Sequence, residues 1–127
     1  MRLVTCQYCG KMAELVTGEV IFPHLGALHK KKFWRCEPCK AHVGCHPKKT
    51  RPMGTLAKVE LRSLRAKVHD FFDQKWKRKR RSRGSRKARS EAYSWLADQL
   101  NISPAQCHVG LFDEDLCRKA LEVLNEN

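Results

Sequence analysis

The stretch Cys6-Gln7-Tyr8-Cys9-Gly10, answered by Cys36-Glu37-Pro38-Cys39 with 26 residues between Cys9 and Cys36, decides how this chain is read. Each Cys-x-x-Cys pair suits a tight turn with both sulfurs on its inner side, and two such pairs supply the four soft ligands that tetrahedral Zn²⁺ prefers. Gly10 follows the first pair, where such a knuckle commonly needs a positive φ. The expectation is one structural zinc ion held by Cys6, Cys9, Cys36 and Cys39. Two disulfides would instead require an oxidising compartment, and Met1 to Thr5 carry a single charge and no apolar signal-peptide core. A redox dithiol would require a βαβ pattern around one of the pairs, which is missing.

Working outward from the cysteines, the spacing predicts short strands. Ala13 to Val16 and Glu19 to Phe22 flank Thr17-Gly18, a hairpin-turn signal. Lys32 to Arg35 lead into the second knuckle, and Ala41 to Val43 lead away from it. Three or four short antiparallel strands over residues 1–50 make a zinc ribbon. Trp34 beside the second knuckle and Tyr8 inside the first are expected either to pack over the zinc–thiolate unit or to stack on unpaired bases, since Lys30, Lys31, Lys32 and Arg35 surround them in sequence.

Pro47-Lys48-Lys49-Thr50-Arg51-Pro52-Met53-Gly54 reads as a basic linker. A helix follows from about Thr55, its expected cap, to about Lys79. Ala57, Leu61, Leu64, Val68, Phe71, Phe72 and Trp76 recur on its inner face, with Lys58, Arg62, Arg65 and Lys67 outside. A second helix is expected over about 86–100, with Ala88, Ala92, Trp95, Leu96, Gln99 and Leu100 inward. Ser103-Pro104-Ala105-Gln106 is a capping box with proline at the first helical position. Asp113 can cap a last helix whose inner face is Leu116, Ala120, Val123 and Leu124. The fold class is therefore α+β: a four-cysteine ribbon over 1–50, then an all-α unit of three to four helices over 51–127, with a basic loop at about 75–89.

Charge is distributed unevenly along the 127 residues. Residues 1–54 carry ten Lys/Arg against three Asp/Glu, residues 55–90 fourteen against three, and residues 91–127 two against seven. Lys75 to Arg89 alone contain ten basic residues in fifteen. A solvated mobile loop would account for that run, but a charge density of this kind is better matched by a polyanion. Arg78, Lys79, Arg80, Arg81, Arg83, Arg86 and Lys87 are thus candidate phosphate contacts, with Lys30, Lys31, Lys32, Arg35, Trp34 and Tyr8 as a second set. No apolar run approaches the roughly 18 residues of a membrane span, so a cytoplasmic protein with no membrane partner is expected.

At this point the residues carry a resemblance. Cys6-x-x-Cys9-Gly10, Phe33-Trp34-x-Cys36-x-x-Cys39-x-Ala41-x-Val43-Gly44-Cys45-His46, Pro52-Met53-Gly54-Thr55-Leu56-Ala57, Leu61-Arg62, His69-x-Phe71-Phe72-Asp73, Ala92-Tyr93-x-Trp95-Leu96-Ala97 and Cys107-His108-Val109-Gly110 together resemble a zinc-finger-containing family of unknown function found in phages, prophages and bacteria. The resemblance covers nearly the whole chain and implies the ribbon-plus-helices architecture and a phage or bacterial setting. It implies no established activity. The first fifty residues are also similar to the zinc ribbons appended to bacterial topoisomerases, which implies nucleic-acid binding by analogy.

Two other constellations compete. Cys45-His46 and Cys107-His108 could hold a second metal, although two dipeptides would have to supply four ligands in a strained geometry. His24, His29 and His42 lie around the cysteine pairs much as histidines do in some His-Asn-His endonucleases. The Asp-His or His-His dipeptide and downstream Asn of such sites are missing, since Lys40 and Ala41 follow Cys39. Cys117 is expected to be packed rather than reactive. The reading that accounts for most residues is a non-catalytic accessory or regulatory protein that binds DNA or RNA and takes no small-molecule substrate. The alternative is a module that docks on a host protein such as a polymerase or a defence factor.

Overall fold

Three short strands gather around the cysteines in a computed structural model of the chain, which describes residues 3–126. β1 (Glu14–Thr17), β2 (Lys32–Cys36) and β3 (Ala41–Gly44) form one antiparallel sheet in that order. Trp34 pairs with Leu15 on one side and Val43 on the other, so it stands in the middle of the sheet. Because side chains alternate along a strand, Trp34 and Cys36 share a face. That face is buried with Cys6, Ala13, Ala41 and Leu56, and Val4, Cys39, Val43 and Cys45 pack against it. Cys6, Cys36 and Cys39 are therefore part of the apolar core as well as of its metal-binding edge, whereas Cys9 stands outside the core.

The expected hairpin at Thr17-Gly18 does not form. Gly18–Ile21 is a single helical turn, α1, and the partner of β1 is β2 rather than Glu19 to Phe22. Gly18 donates its N–H to the Lys31 carbonyl at 2.7 Å, and a Cβ on it would lie 1.8 Å from the Leu28 carbonyl oxygen. Glycine is required here by that close approach from a distant part of the chain, not by a hairpin turn. A 3₁₀ turn at Gly26–Leu28 then returns the chain to β2.

The segment that reads as a linker is bonded to the ribbon. His46 donates to the Arg51 carbonyl at 2.9 Å, Met53 to the Gly44 carbonyl at 2.9 Å, and the Trp34 indole to the Thr50 carbonyl at 2.7 Å. Ala57 and His42 exchange both backbone hydrogen bonds, at 3.0 and 3.1 Å. That pairing holds Ala57 extended, so the long helix α2 starts at Val59 rather than at Thr55 and runs to Lys77. Backbone contacts gather into two units, one ending at Glu60 and the other beginning at Leu61.

In the second unit, α2 buries Leu61, Arg65, Val68 and Phe72. Arg65 belongs to the inner face and not the outer one: its Nε and Nη2 donate to the Phe112 carbonyl at 3.1 and 2.9 Å. Phe71, expected inside, is 40% exposed. The basic stretch is helical where a loop was expected. It comprises the end of α2, the one-turn helix α3 (Arg80–Arg83) and the start of α4 (Ser85–Leu100), with the turn between them made at Gly84, φ +80°. Arg and Lys are good helix formers, and two contacts offset their repulsion. Arg83 forms a forked ion pair with Glu91, the closest N–O distance being 2.7 Å, and the Lys75 ammonium lies 3.9 Å from the centre of the Trp95 ring.

Asn101 ends α4 in the left-handed conformation, φ 55°. The capping box holds: the Ser103 N–H donates to Gln106 Oε1 at 3.2 Å and opens a 3₁₀ turn at Pro104–Gln106. Asp113 accepts the Leu116 N–H at 2.8 Å and caps α5 (Glu114–Glu126), which buries Cys117, Ala120 and Leu124.

Gly18→Ala is expected to cost the first unit about 1–3 kcal/mol through the collision with Leu28. Amide hydrogen exchange should accelerate across β1 and β2 while α4 amides keep their protection.

Candidate metal centre and basic surface

Cys6 and Cys9 sit in the N-terminal knuckle, Cys36 at the end of β2 and Cys39 in the turn before β3. Each knuckle places a positive φ just after its second cysteine, although the hydrogen bonds that close the two turns differ by one residue in span. In the first, Gly10 (φ +77°) donates to the Cys6 carbonyl at 2.8 Å; in the second, Lys40 (φ 56°) donates to the Glu37 carbonyl at 3.0 Å. Lys40 occupies the position that Gly10 occupies after its own pair, and it adopts a left-handed conformation that a lysine resists.

The four sulfurs lie within 4.8 Å of one another, and Cys9 Sγ is 3.7 Å from Cys36 Sγ. Zinc–sulfur bonds of about 2.3 Å in a tetrahedron place sulfurs about 3.8 Å apart, so the donor set fits Zn²⁺. All four cysteines are free, and 3.7 Å is far beyond a disulfide bond. The thiols perturb one another. A hydrogen bond from the Lys11 backbone N–H leads the effects that pull Cys9 down to about 7, while burial, followed by the neighbouring thiols, pushes Cys39 up to about 12. Cys36 is also raised: the Cys39 backbone pulls it down, but burial and the adjacent sulfurs outweigh that pull. Four thiolates cannot share this volume without a compensating cation, and a dication supplies the charge.

The residues inside the first knuckle fasten it to the end of the ribbon. Gln7 donates through Nε2 to the Leu56 carbonyl, and the Tyr8 hydroxyl accepts the Lys58 N–H at 3.2 Å. The Lys58 ammonium lies 4.7 Å from the centre of the Tyr8 ring. These contacts join residues about fifty positions apart, and no local pattern announces them.

The aromatic and basic candidates are placed unequally. Trp34 is 6% exposed and its indole N–H is engaged, so it presents no face to a base; it packs in the core instead. Tyr8 is 38% exposed. Arg35 is paired with Glu14, its register partner, and lies 3.6 Å from Glu37, so β-sheet pairing satisfies its charge internally. Lys30, Lys31 and Lys32 are exposed. In the second unit, Arg78, Lys79, Arg80, Arg81, Arg83, Arg86 and Lys87 are all exposed. His42 packs edge-on against Phe22 and Phe33, His24 edge-on against Phe22, and His29 Nε2 is 2.9 Å from the Pro23 carbonyl. Cys45 and His46 belong to the first unit, Cys107 and His108 to the second. Burial raises Cys107, whose thiol donates to the Tyr93 carbonyl at 3.6 Å, and burial likewise lifts Cys117 to about 11.

The profile of a zinc-finger-containing domain family matches residues 2–127. The chain belongs to that family. The match spans both units, so the helices are as much a part of this zinc-finger domain as the cysteine knuckles are. No curated protein and no solved structure matches the chain. No helix among the described residues is long and apolar enough to cross a membrane.

The purified zinc-finger protein is expected to carry one zinc per chain by native mass spectrometry. Cys36→Ser should abolish zinc retention and unfold the first unit while α2, α4 and α5 keep their helical signal. Acidification should release the metal, because protons compete for the thiolates.

Proposed function

We propose that this zinc-finger protein is a non-catalytic, nucleic-acid-binding accessory or regulatory factor of phage or bacterial origin, working in the cytoplasm and engaging phosphates through the basic helical segment of its second unit. The observation that carries the reading is a run of exposed cations that the chain itself leaves largely unneutralised. Arg83 is ion-paired with Glu91, whereas among the described residues no carboxylate lies within ion-pair distance of Arg78, Arg80, Arg81 or Arg86. Lys75, at the edge of the run, has its pKa lowered by burial and then by the charges of Lys79 and Arg78. Only the part contributed by Lys79 and Arg78, which is second to burial, reflects the local positive potential that phosphate would relieve. The segment is helical, so its cations are spaced on turns rather than on a fluctuating loop. The exposed Lys30, Lys31 and Lys32 give the first unit a weaker basic surface of its own. Absence of catalysis is supported by His24, His29 and His42, whose rings pack against aromatic neighbours or meet a backbone carbonyl.

Binding of this kind is dominated by counterion release. If about 4 to 6 phosphates are neutralised, log affinity should fall with log salt at a slope of roughly −3 to −5. Replacing Arg78, Lys79, Arg80 and Arg81 together by Gln, which preserves helix propensity, should weaken binding to every sequence alike and flatten that slope, with zinc content unchanged. Fluorescence anisotropy over a salt series measures both. An affinity and slope that survive the fourfold replacement would overturn this reading in favour of docking on an acidic protein surface. Mutation-sensitive cleavage of DNA or RNA in Mg²⁺ or Mn²⁺ would overturn the absence of catalysis.

A further inference from the structure

Within the second unit, the side of α4 next to the basic run opens on a cleft of about 570 Å³, inside the range of about 300–1,000 Å³ typical of ligand sites. Its lining has two characters. Arg86, Arg89 and Ser90 contribute charge and a hydroxyl, while Trp76, Tyr93 and His108 contribute aromatic rings, and no carboxylate lines it. Arg86, Arg89, Ser90 and Tyr93 fall at i, i+3, i+4 and i+7, so one face of α4 presents cation, hydroxyl and ring together.

The aromatic wall is held in place by contacts of its own. Tyr93 is backed by Phe72 at 4.3 Å between ring centres and flanked by His108 at 5.8 Å. The Trp76 indole donates to Asp73 at 2.9 Å, which fixes the ring from within α2. The Arg89 guanidinium lies 5.8 Å from the centre of the Tyr93 ring. Arg86 and Arg89 are exposed, and no carboxylate is within ion-pair distance of either among the described residues.

We infer that this cleft accepts a single nucleotide, its base against Trp76, Tyr93 and His108 and its phosphate on Arg86 and Arg89. Pure phosphate binding leaves the aromatic wall without a role, and an apolar ligand leaves the two arginines without one. A nucleotide uses both, because every base has a π face and every phosphate a charge that a guanidinium can meet in a fork. The inference rests on the reading of the second unit as a phosphate-binding element and adds recognition of an unstacked base. The nucleotide can be free or can belong to a single strand, and the two sources share this chemistry.

The test uses the full zinc-loaded chain and follows backbone amide NMR shifts during titration with thymidine 5′-monophosphate, thymidine, inorganic phosphate and a single-stranded thymidine oligonucleotide. The monophosphate is expected to shift the Arg86–Ser94 amides and to bind about tenfold or more tightly than phosphate or thymidine alone. Arg89→Gln and Tyr93→Leu should each weaken it by about tenfold; Arg89 is exposed, so its replacement tests the site even if the tyrosine variant loosens the helix packing. Displacement of the monophosphate by the oligonucleotide assigns the site to a strand, and simultaneous binding of both assigns it to a free nucleotide; either result upholds a nucleotide cleft. Equal affinity for phosphate and monophosphate, or shifts that bypass α4, would overturn it. A chain that binds duplex with a steep salt slope yet leaves the monophosphate unbound loses the cleft and keeps the broader function, whereas the converse result removes the polymer and keeps the cleft.

Discussion

The convergence of four sulfurs within 4.8 Å is the constraint on which the first sixty residues depend. Three strands of four or five residues cannot stand as an isolated sheet, and the buried cluster they enclose has six members, two of them ligand cysteines. Core and metal site are therefore one object. Without a cation the thiols must either protonate or repel, and in both cases the turns that carry Cys6 to Cys9 and Cys36 to Cys39 lose what draws them together. The clamps from Gln7 and Tyr8 to residues 56–58 then extend that order to the last extended segment of the ribbon.

The second unit rests on packing of a different kind. Its inner surfaces join large apolar side chains, among them Leu61, Val68, Phe72, Leu96, Val109 and Phe112, to small ones, Ala88, Ala92, Ala97 and Ala120. Arg65 is the exception: a buried cation whose guanidinium satisfies a carbonyl at the turn before α5. It ties the segment of 3₁₀ turns before α5 to the longest helix and supplies a donor to a buried loop carbonyl.

What could be read in advance followed the range of the forces involved. The cysteine spacing, the helices α2, α4 and α5, the capping box at Ser103 and the cap at Asp113 are local matters of periodicity and side-chain chemistry, and each stands where expected within a few residues. Gly18 reads as a hairpin turn because glycine is ambiguous in sequence: a turn and a close contact with Leu28 leave the same letter. Arg65 reads as an outer-face residue because its partner, the Phe112 carbonyl, lies 47 residues away. The basic stretch reads as a loop from its charge and serines, yet its backbone propensity is helical, and the Glu91 and Trp95 contacts that support it come from the following helix. Trp34 shows the same limit, since lysines beside it in sequence do not decide which face of the sheet it occupies.

The four ligands are not equally sheltered. Cys6 and Cys36 are buried and Cys39 is partly covered, but Cys9 is exposed. A small thiol, a chelator or an oxidant arriving from solvent therefore meets one sulfur before the other three, so metal exchange can begin by substitution at Cys9 while the core around Cys6 and Cys36 stays closed. Loss of the ion therefore need not wait for the ribbon to unfold.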